Sequence, residues 1–440
     1  MLGMALARKL AAAGHSVTVL EAAPEAGGLA ATWEIAAVRW DKHYHVILPA
    51  DERLLQLIDD IGLGSEVVWS QTRTGVYAGG QLHSVSNTRE FLKFPELSMW
   101  DKLRLGGTLF YASRIRNWHR LEAIPVEKWL RRWSGNHTFE TFWRPLLRSK
   151  LGDNYQSASA AFIWAIMQRL YGARQSGSKV EQLGYVRGGY ASILDRLTES
   201  LAEAGIDLRL DTRVGSVRAT EDGGVVVVTG TGDELNFDRV AVTLAAPLAA
   251  RVIEGLQPPE VDLLERMVYQ GIVCVSVVLQ EPLADFYVTN ITDGGFPFTG
   301  VIEMTSLVDP AQFGGSHLVY LPLYTTQQDP AQEMSAAEIE AWFLAELARM
   351  YPSFTQDSVV AVKTSKVRYV LPVSTLDHSK HVPATWTSVP GVAIVSSAQI
   401  VNGTLNVNET LGVVEAALPE LLTGGPRRQT DLPTAERTER

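Results

Sequence analysis

Gly3 and Glu21 stand in the relation that a nucleotide site demands: a glycine early in a helix, then an acid about 20 residues on, where its carboxylate can hold ribose hydroxyls. Six residues after Glu21 comes the pair Gly27-Gly28, a stretch whose backbone can approach a ligand that any side chain would hold off. His43 and His45 follow in Trp40-Asp41-Lys42-His43-Tyr44-His45. Imidazoles titrate near neutrality and can donate a hydrogen bond or move a proton. Because they alternate, the two would share one face of a strand, where they could equally cap loop carbonyls. Glu303 interrupts an apolar strand, so it sits on an exposed face or in a pocket with a partner. Lys363, Lys366, Arg368 and Tyr369 lie on an alternating strand before Pro372. They either meet an anionic or polar substrate group or form a solvated sheet face.

These residues need elements to position them. Leu2 to Ala13 is rich in Ala, Leu and Met and predicts a helix ending at Gly14. His15 to Glu21 is an apolar, β-branched run and predicts a buried parallel strand. Together they form the αβ half of a βαβ unit. The first strand and first two glycines of the fingerprint would precede Met1, and a misassigned start codon is the expected reason, ahead of a genuine truncation. Asp51 to Leu63 reads as an amphipathic helix closed at Gly62.

Residues 85 to 184 carry helical patterns and large side chains, among them Trp100, Trp118, Trp129, Trp133, Trp143 and Trp164. Within them, residues 98–120 mix Leu, Phe and Tyr with Arg104, Arg114 and Arg116. Such a surface could lie on a membrane or line an apolar tunnel, although packing between domains is the preferred expectation. Further on, Val186 to Tyr190 is a glycine-rich turn before a helix from Ala191 to about Ala204. Gly205–Leu210, Arg213–Val217, Gly224–Val228 and Phe237–Leu244 predict four strands of a short meander returning to the sheet. Residues 251 to 380 are mostly β; Gly391 to Ser397 is a buried strand, and Asn402 to Thr410 lead into a helix reaching about Leu422.

Bulk composition narrows the function. The chain has 440 residues, enough for a cofactor domain and at least one more. A formal charge of −10, from 39 basic and 49 acidic residues, argues against a nucleic-acid binder. The single cysteine, Cys274, lies in an apolar run and permits no internal disulfide, and no Cys/His metal spacing is present. No stretch of about 18 apolar residues or secretory signal is evident, so a cytoplasmic protein, peripheral to a membrane at most, is expected.

The segment from Glu21 through Gly27-Gly28-Leu29 resembles the signature of the FAD-dependent amine oxidase, phytoene desaturase and protoporphyrinogen oxidase superfamily. That resemblance implies FAD, with Gly3, Gly27, Gly28 and Leu29 near the diphosphate and ribityl chain, Glu21 on the ribose and the Val214 backbone at the adenine. Asn406, Asn408 and Thr410 would sit where a helix N-terminus meets the flavin pyrimidine and stabilises its reduced form. His43 and His45 match loosely the stretch that runs past the flavin ring, which UDP-galactopyranose mutases also possess. With Glu303, they are the catalytic candidates. Three departures stand out: no Arg precedes the glycines, Lys42 breaks the histidine pattern, and Ser396-Ser397-Ala398-Gln399 replaces the usual Gly-Asp.

The implied fold is α/β. A Rossmann-like FAD domain of residues 1–75, 185–250 and 385–424 encloses an α+β substrate region of residues 76–184 and 251–384, with a disordered tail at 425–440. The implied activity is hydride removal from a C–N or C–C bond of a small or apolar substrate, with no metal. A non-redox flavoenzyme like UDP-galactopyranose mutase and a flavin-free binding protein are the alternatives. Substrate, electron acceptor and oligomeric state stay open.

Overall fold

A computed structural model describes residues 1–175, 182–401 and 403–424; the expected tail and Asn402 lie outside them. The first helix, Leu2–Ala12, stops as Gly14 turns to a positive φ of 91°. It buries Met4, Ala5, Leu6 and Ala7 against the helices Gly189–Glu203 and Val407–Thr423. The helix Glu52–Asp60 completes that core with Leu54, Leu57 and Ile58.

Two parallel pairs run beneath these helices. Thr18–Leu20 pairs with Asp207–Arg209, and Val240–Val242 pairs with Val392–Ile394. No strand among the described residues joins the pairs. The predicted meander needs one correction. Asp207–Arg209 leaves it for the parallel pair, and the run Phe237–Leu244 divides at Asp238-Arg239 into a meander strand, Glu234–Phe237, and a parallel strand, Val240–Val242. Three antiparallel strands, Val214–Ala219, Val225–Thr229 and Glu234–Phe237, remain.

The second body centres on a seven-stranded mixed sheet, in the order Val359–Pro372, Tyr269–Leu279, His317–Thr325, Gly300–Glu303, Val288–Ile291, Thr74–Ala78, Gln81–Ser84. Thr74–Ala78 crosses the expected boundary at residue 75, because it pairs in parallel with Val288–Ile291. Tyr269–Leu279 is buried along its whole length, and alternation splits its side chains between two cores. Val273, Val275, Val277 and Leu279 pack with Ile339, Phe343 and Leu347 of the helix Ala336–Met350. Ile272, Cys274 and Val278 face the other way and share a core with Trp40, Leu48, Tyr185 and Tyr320. This second face meets the nucleotide-type body, and the histidine segment runs along it. A cap of helices holds its own core around Trp129, Leu130, Phe139, Trp143 and Phe162.

Candidate active site

Ligands of open α/β sheets bind beyond the carboxyl ends of parallel strands, and several expected residues converge there. Glu21 follows Leu20 directly. Its amide donates to Arg209 O, its Oε1 accepts from Ala23 N at 2.9 Å, and its second carboxylate oxygen has no partner among the described residues. Thr212 N donates to Glu21 O, which brings Val214 to the same corner. The start of the first helix lies against Gly27, with Met1 N 3.4 Å from Gly27 O. Gly3 packs on Thr243 just past Val242. A Cβ added there would stand 3.5 Å from Thr243 Oγ1, an ordinary contact, so packing alone does not demand glycine at that place.

The paired glycines differ from each other. Gly27 has φ +133°, and a Cβ on it would fall 2.8 Å from Leu194 Cδ1 and 3.1 Å from Ala31 Cα. Gly28 has φ +60°, and nothing lies within 4 Å of its Cβ position. Gly27 is fixed by its own protein surroundings; Gly28 borders open space. Leu29, next along, offers its carbonyl to His43 Nδ1 at 3.3 Å.

His43 links the two bodies, since its Nε2 lies 3.2 Å from Ser365 Oγ on the edge strand Val359–Pro372. Desolvation, reinforced by the neighbouring His45, lowers its pKa to about 4, so the ring is neutral near physiological pH. A carbonyl can only accept, so Nδ1 carries the hydrogen and Nε2 is left as an acceptor for the serine hydroxyl. His45 turns elsewhere. Its Nδ1 lies 3.3 Å from buried Asp41 Oδ2, and its ring packs on Tyr190 at 4.5 Å. Asp41 Oδ1 also accepts from Tyr190 N at 2.9 Å, and Asp41 O accepts from Tyr320 OH at 2.7 Å.

Tyr44, between the histidines, carries a contact that the sequence reading missed. Its hydroxyl lies 2.9 Å from Tyr324 OH, and Lys150 Nζ donates to it at 3.3 Å. Burial pushes the Tyr44 hydroxyl up to about 12. Lys150 stands over the rings of Tyr44 and Tyr324 at 5.7 and 5.5 Å. No carboxylate among the described residues pairs with it. Tyr44 stood between the two histidines in the sequence; Lys150, Ser365 and Tyr324 come from distant elements and had no signal.

The remaining expected residues have protein partners of their own. Glu303 does not join the histidines. It is buried at the end of Gly300–Glu303, and its carboxylate accepts from Leu283 N at 3.0 Å and Ala284 N at 3.1 Å, clasping a loop, while burial raises its pKa. Asn408 Oδ1 accepts from Arg53 N at 2.9 Å and Leu54 N at 3.4 Å, so the side chain expected at a flavin caps the helix Glu52–Asp60. Asn406 caps its own helix through Glu409 N at 2.9 Å, and Thr410 Oγ1 donates back to Asn406 O at 2.8 Å. What this helix end still offers is backbone: the amides of Val407 and Asn408 have no partner among the described residues. The basic strand is likewise spent on protein. Lys363 and Lys366 reach the carbonyls of Glu34 and Met334, and Arg368 pairs with Glu333.

The Ser396–Gln399 turn that replaces Gly-Asp is self-capped, with Gln399 Oε1 accepting from Ser396 N at 3.0 Å. Beside it, Tyr269 receives a hydrogen bond from Ala246 N at 3.1 Å and opens with Tyr369 onto a cavity of about 430 Å³. Tyr369 lies four residues from Ser365, roughly 13 Å along the strand, so this cavity stands away from the histidines.

A helix N-terminus, a glycine pair and an acid stand together at the ends of parallel strands, laid against a mixed sheet, in an α/β protein. The chain belongs to the flavin containing amine oxidoreductase family, whose model matches residues 2–399. It is 24% identical over 272 residues to a protein assigned as a zeta-carotene desaturase of Synechococcus elongatus, with 56% of each chain covered. A flavin-containing monoamine oxidase assigned in Mycobacterium tuberculosis is 24% identical, with 58% of this chain and 57% of that protein covered. The chain thus matches a little over half the length of these curated relatives. Among solved structures, an oxidoreductase from Methanosarcina mazei superposes with a TM-score of 0.75 at 17% identity, over 95% of this chain and 98% of that one. A protein assigned as a protoporphyrinogen oxidase from Exiguobacterium sp. 255-15 gives 0.73 at 18% identity over 96% of each. Putrescine oxidase bound to putrescine gives 0.69 at 16%, over 96% of this chain and 97% of that one. These likenesses show the amine oxidase fold and a family that carries flavin.

Proposed function

We propose that this chain binds FAD between the first helix, Gly27-Gly28, the Ser396–Gln399 turn and the helix start Asn406–Thr410, and acts as an oxidoreductase that takes a hydride from a C–N or C–C bond of a small or apolar substrate. The observation that carries the reading is the meeting of the first helix start with Gly27 and with the charge of Glu21, beside a Gly28 whose Cβ position has no protein atom within 4 Å. Backbone amides and room without side chains suit a diphosphate, and the second Glu21 oxygen suits ribose hydroxyls. Bound there, FAD supplies the two-electron acceptor.

The chain's own groups orient and exclude. The Val407 and Asn408 amides, at the positive end of a long helix, favour negative charge in front of them. Neutral His43 holds Ser365 and keeps its Nε2 an acceptor, so near neutrality it positions groups and does not donate a proton. Tyr44, Tyr320 and Tyr324 line the face beyond it and keep water out. Lys150, lacking an acidic partner, supports a substrate whose electron-rich part points at this wall.

The test is a visible absorption spectrum of the purified protein, then anaerobic mixing with an amine such as putrescine, a polyene such as zeta-carotene, and protoporphyrinogen. Flavin absorbance that one of them bleaches is the expected result; a protein that takes up no flavin when supplied with FAD refutes the reading. The mutase alternative loses the strand cations expected to hold sugar phosphates, because Lys363, Lys366 and Arg368 are committed to protein partners. The flavin-free alternative conflicts with membership in a flavin containing family.

A further inference from the structure

The helix Met99–Arg114 is built inside out. Its inner face buries Asp101, Lys102 and Thr108 together with Leu105 and Ala112. The buried polar groups are satisfied within the protein. Asp101 accepts from Ser98 N at 3.1 Å and Thr138 Oγ1 at 3.1 Å, Lys102 Nζ donates to Leu92 O at 2.8 Å, and Thr108 Oγ1 donates to Arg104 O at 2.8 Å. The outer face carries Met99, Trp100, Leu103, Phe110 and Tyr111 at helical spacing, with Trp100 68%, Leu103 64%, Phe110 58% and Met99 56% exposed. Leu92, in the preceding helix Thr88–Lys93 and tied to this one through Lys102 Nζ, is also exposed. Single exposed apolar residues are ordinary, but a contiguous stripe of large ones marks an interaction surface.

The charge around the stripe says what it meets. Between Thr88 and Trp133 there are ten Lys or Arg against five Asp or Glu, in a chain whose formal charge is −10. Lys93, Arg114, Arg116, Arg120, Lys128 and Arg132 are exposed and have no carboxylate partner among the described residues. Arg114 lies over the Phe110 ring at 4.7 Å, its guanidinium at the edge of the apolar stripe. An apolar face containing Trp and Tyr, rimmed by unpaired cations, matches the boundary of an anionic bilayer, where rings enter the headgroup region and Lys or Arg meet lipid phosphates. No helix among the described residues is long and apolar enough to cross a membrane, so the helix would lie in the interface plane. We propose that the outer face of Met99–Arg114 docks the protein peripherally on an anionic lipid surface.

The test is co-sedimentation of the full-length protein with extruded vesicles of phosphatidylcholine alone and of phosphatidylcholine containing phosphatidylglycerol, at low and high salt. The protein is expected to pellet with the phosphatidylglycerol vesicles and to be released in part by salt. A triple variant, Trp100→Ser with Leu103→Ser and Phe110→Ser, should lose partitioning by roughly tenfold or more. The pair Arg114→Glu and Arg116→Glu should lose the preference for anionic vesicles. All of these side chains are exposed, and an unchanged melting temperature verifies that the variants fold. Wild-type protein left in the supernatant with both vesicle types overturns the proposal, as does a triple variant that pellets like wild type. So does a wild type that self-associates through this face, binds no vesicles and becomes monomeric in the triple variant. Flavin content, measured on the same samples, reports the cofactor reading separately.

Discussion

Substituting Gly28 by alanine separates a demand of the fold from a demand of the ligand. At φ +60° an L-residue costs about 1–2 kcal/mol, and no protein atom lies within 4 Å of the new methyl group. Gly28→Ala should therefore fold with only that modest loss. If a diphosphate passes over this backbone, the methyl displaces it from its amide donors. Losing one hydrogen bond to a charged group costs about 1.5–3 kcal/mol, which corresponds to roughly a 10–100-fold weaker FAD dissociation constant. Gly27→Ala is the contrast. Its φ of +133° is strained for any side chain, and its methyl would press on Leu194 Cδ1 and on the Ala31 backbone. Strain of about 1–3 kcal/mol and overpacking of similar size fall on the folded state itself. The assay is FAD titration of apoprotein by fluorescence, with thermal melts of the apo forms alongside. Gly27→Ala should melt early, whereas Gly28→Ala should melt near wild type but bind FAD poorly. A Gly28→Ala protein with wild-type FAD affinity refutes the placement of the diphosphate over this residue.

Three further outcomes follow from the geometry around this cradle. The folded-state pKa of His43, about 4, lies below its ordinary 6.5, so the unfolded chain binds the proton more readily. The stability this group contributes is complete above pH 6.5, at most about 3 kcal/mol, and is lost as pH falls toward 4; His43→Gln should flatten the wild-type melting curve across that window, and parallel curves refute the assignment. Asn408→Ala should lose about 1 kcal/mol by uncapping the helix Glu52–Asp60, with FAD affinity little changed; a large affinity loss without destabilisation would return Asn408 to the flavin. Glu303→Gln, which keeps an acceptor for Leu283 N and Ala284 N, should retain turnover, while Glu303→Ala should destabilise by about 1–3 kcal/mol; a Gln variant that is stable but inactive restores the catalytic reading.

What the sequence revealed and what it concealed divide along a physical line. Local backbone features were legible: the helix ending at Gly14, the acid after a β-branched run and a glycine pair at positive φ all depend on neighbours in the chain. Partners of polar side chains were not. Asn408 was expected at the flavin because the family resemblance puts a helix N-terminus there, yet its oxygen accepts from Arg53 N, 355 residues away in sequence. Glu303 looked catalytic because a carboxylate in an apolar strand needs a reason, and the reason is a pair of loop amides. The basic strand suited either a polar substrate group or a solvated face, and it is spent on carbonyls and Glu333. In each case the residue type announced that a partner must exist, but only the tertiary fold could say which. Lys150 is the converse case, an unremarkable residue in sequence that the fold sets over two tyrosine rings with no acid to match it among the described residues. The negative faces of those two rings, and the Tyr44 hydroxyl that accepts from Lys150 Nζ at 3.3 Å, stand where a carboxylate would otherwise be expected, a pairing of remote elements that no local pattern announces.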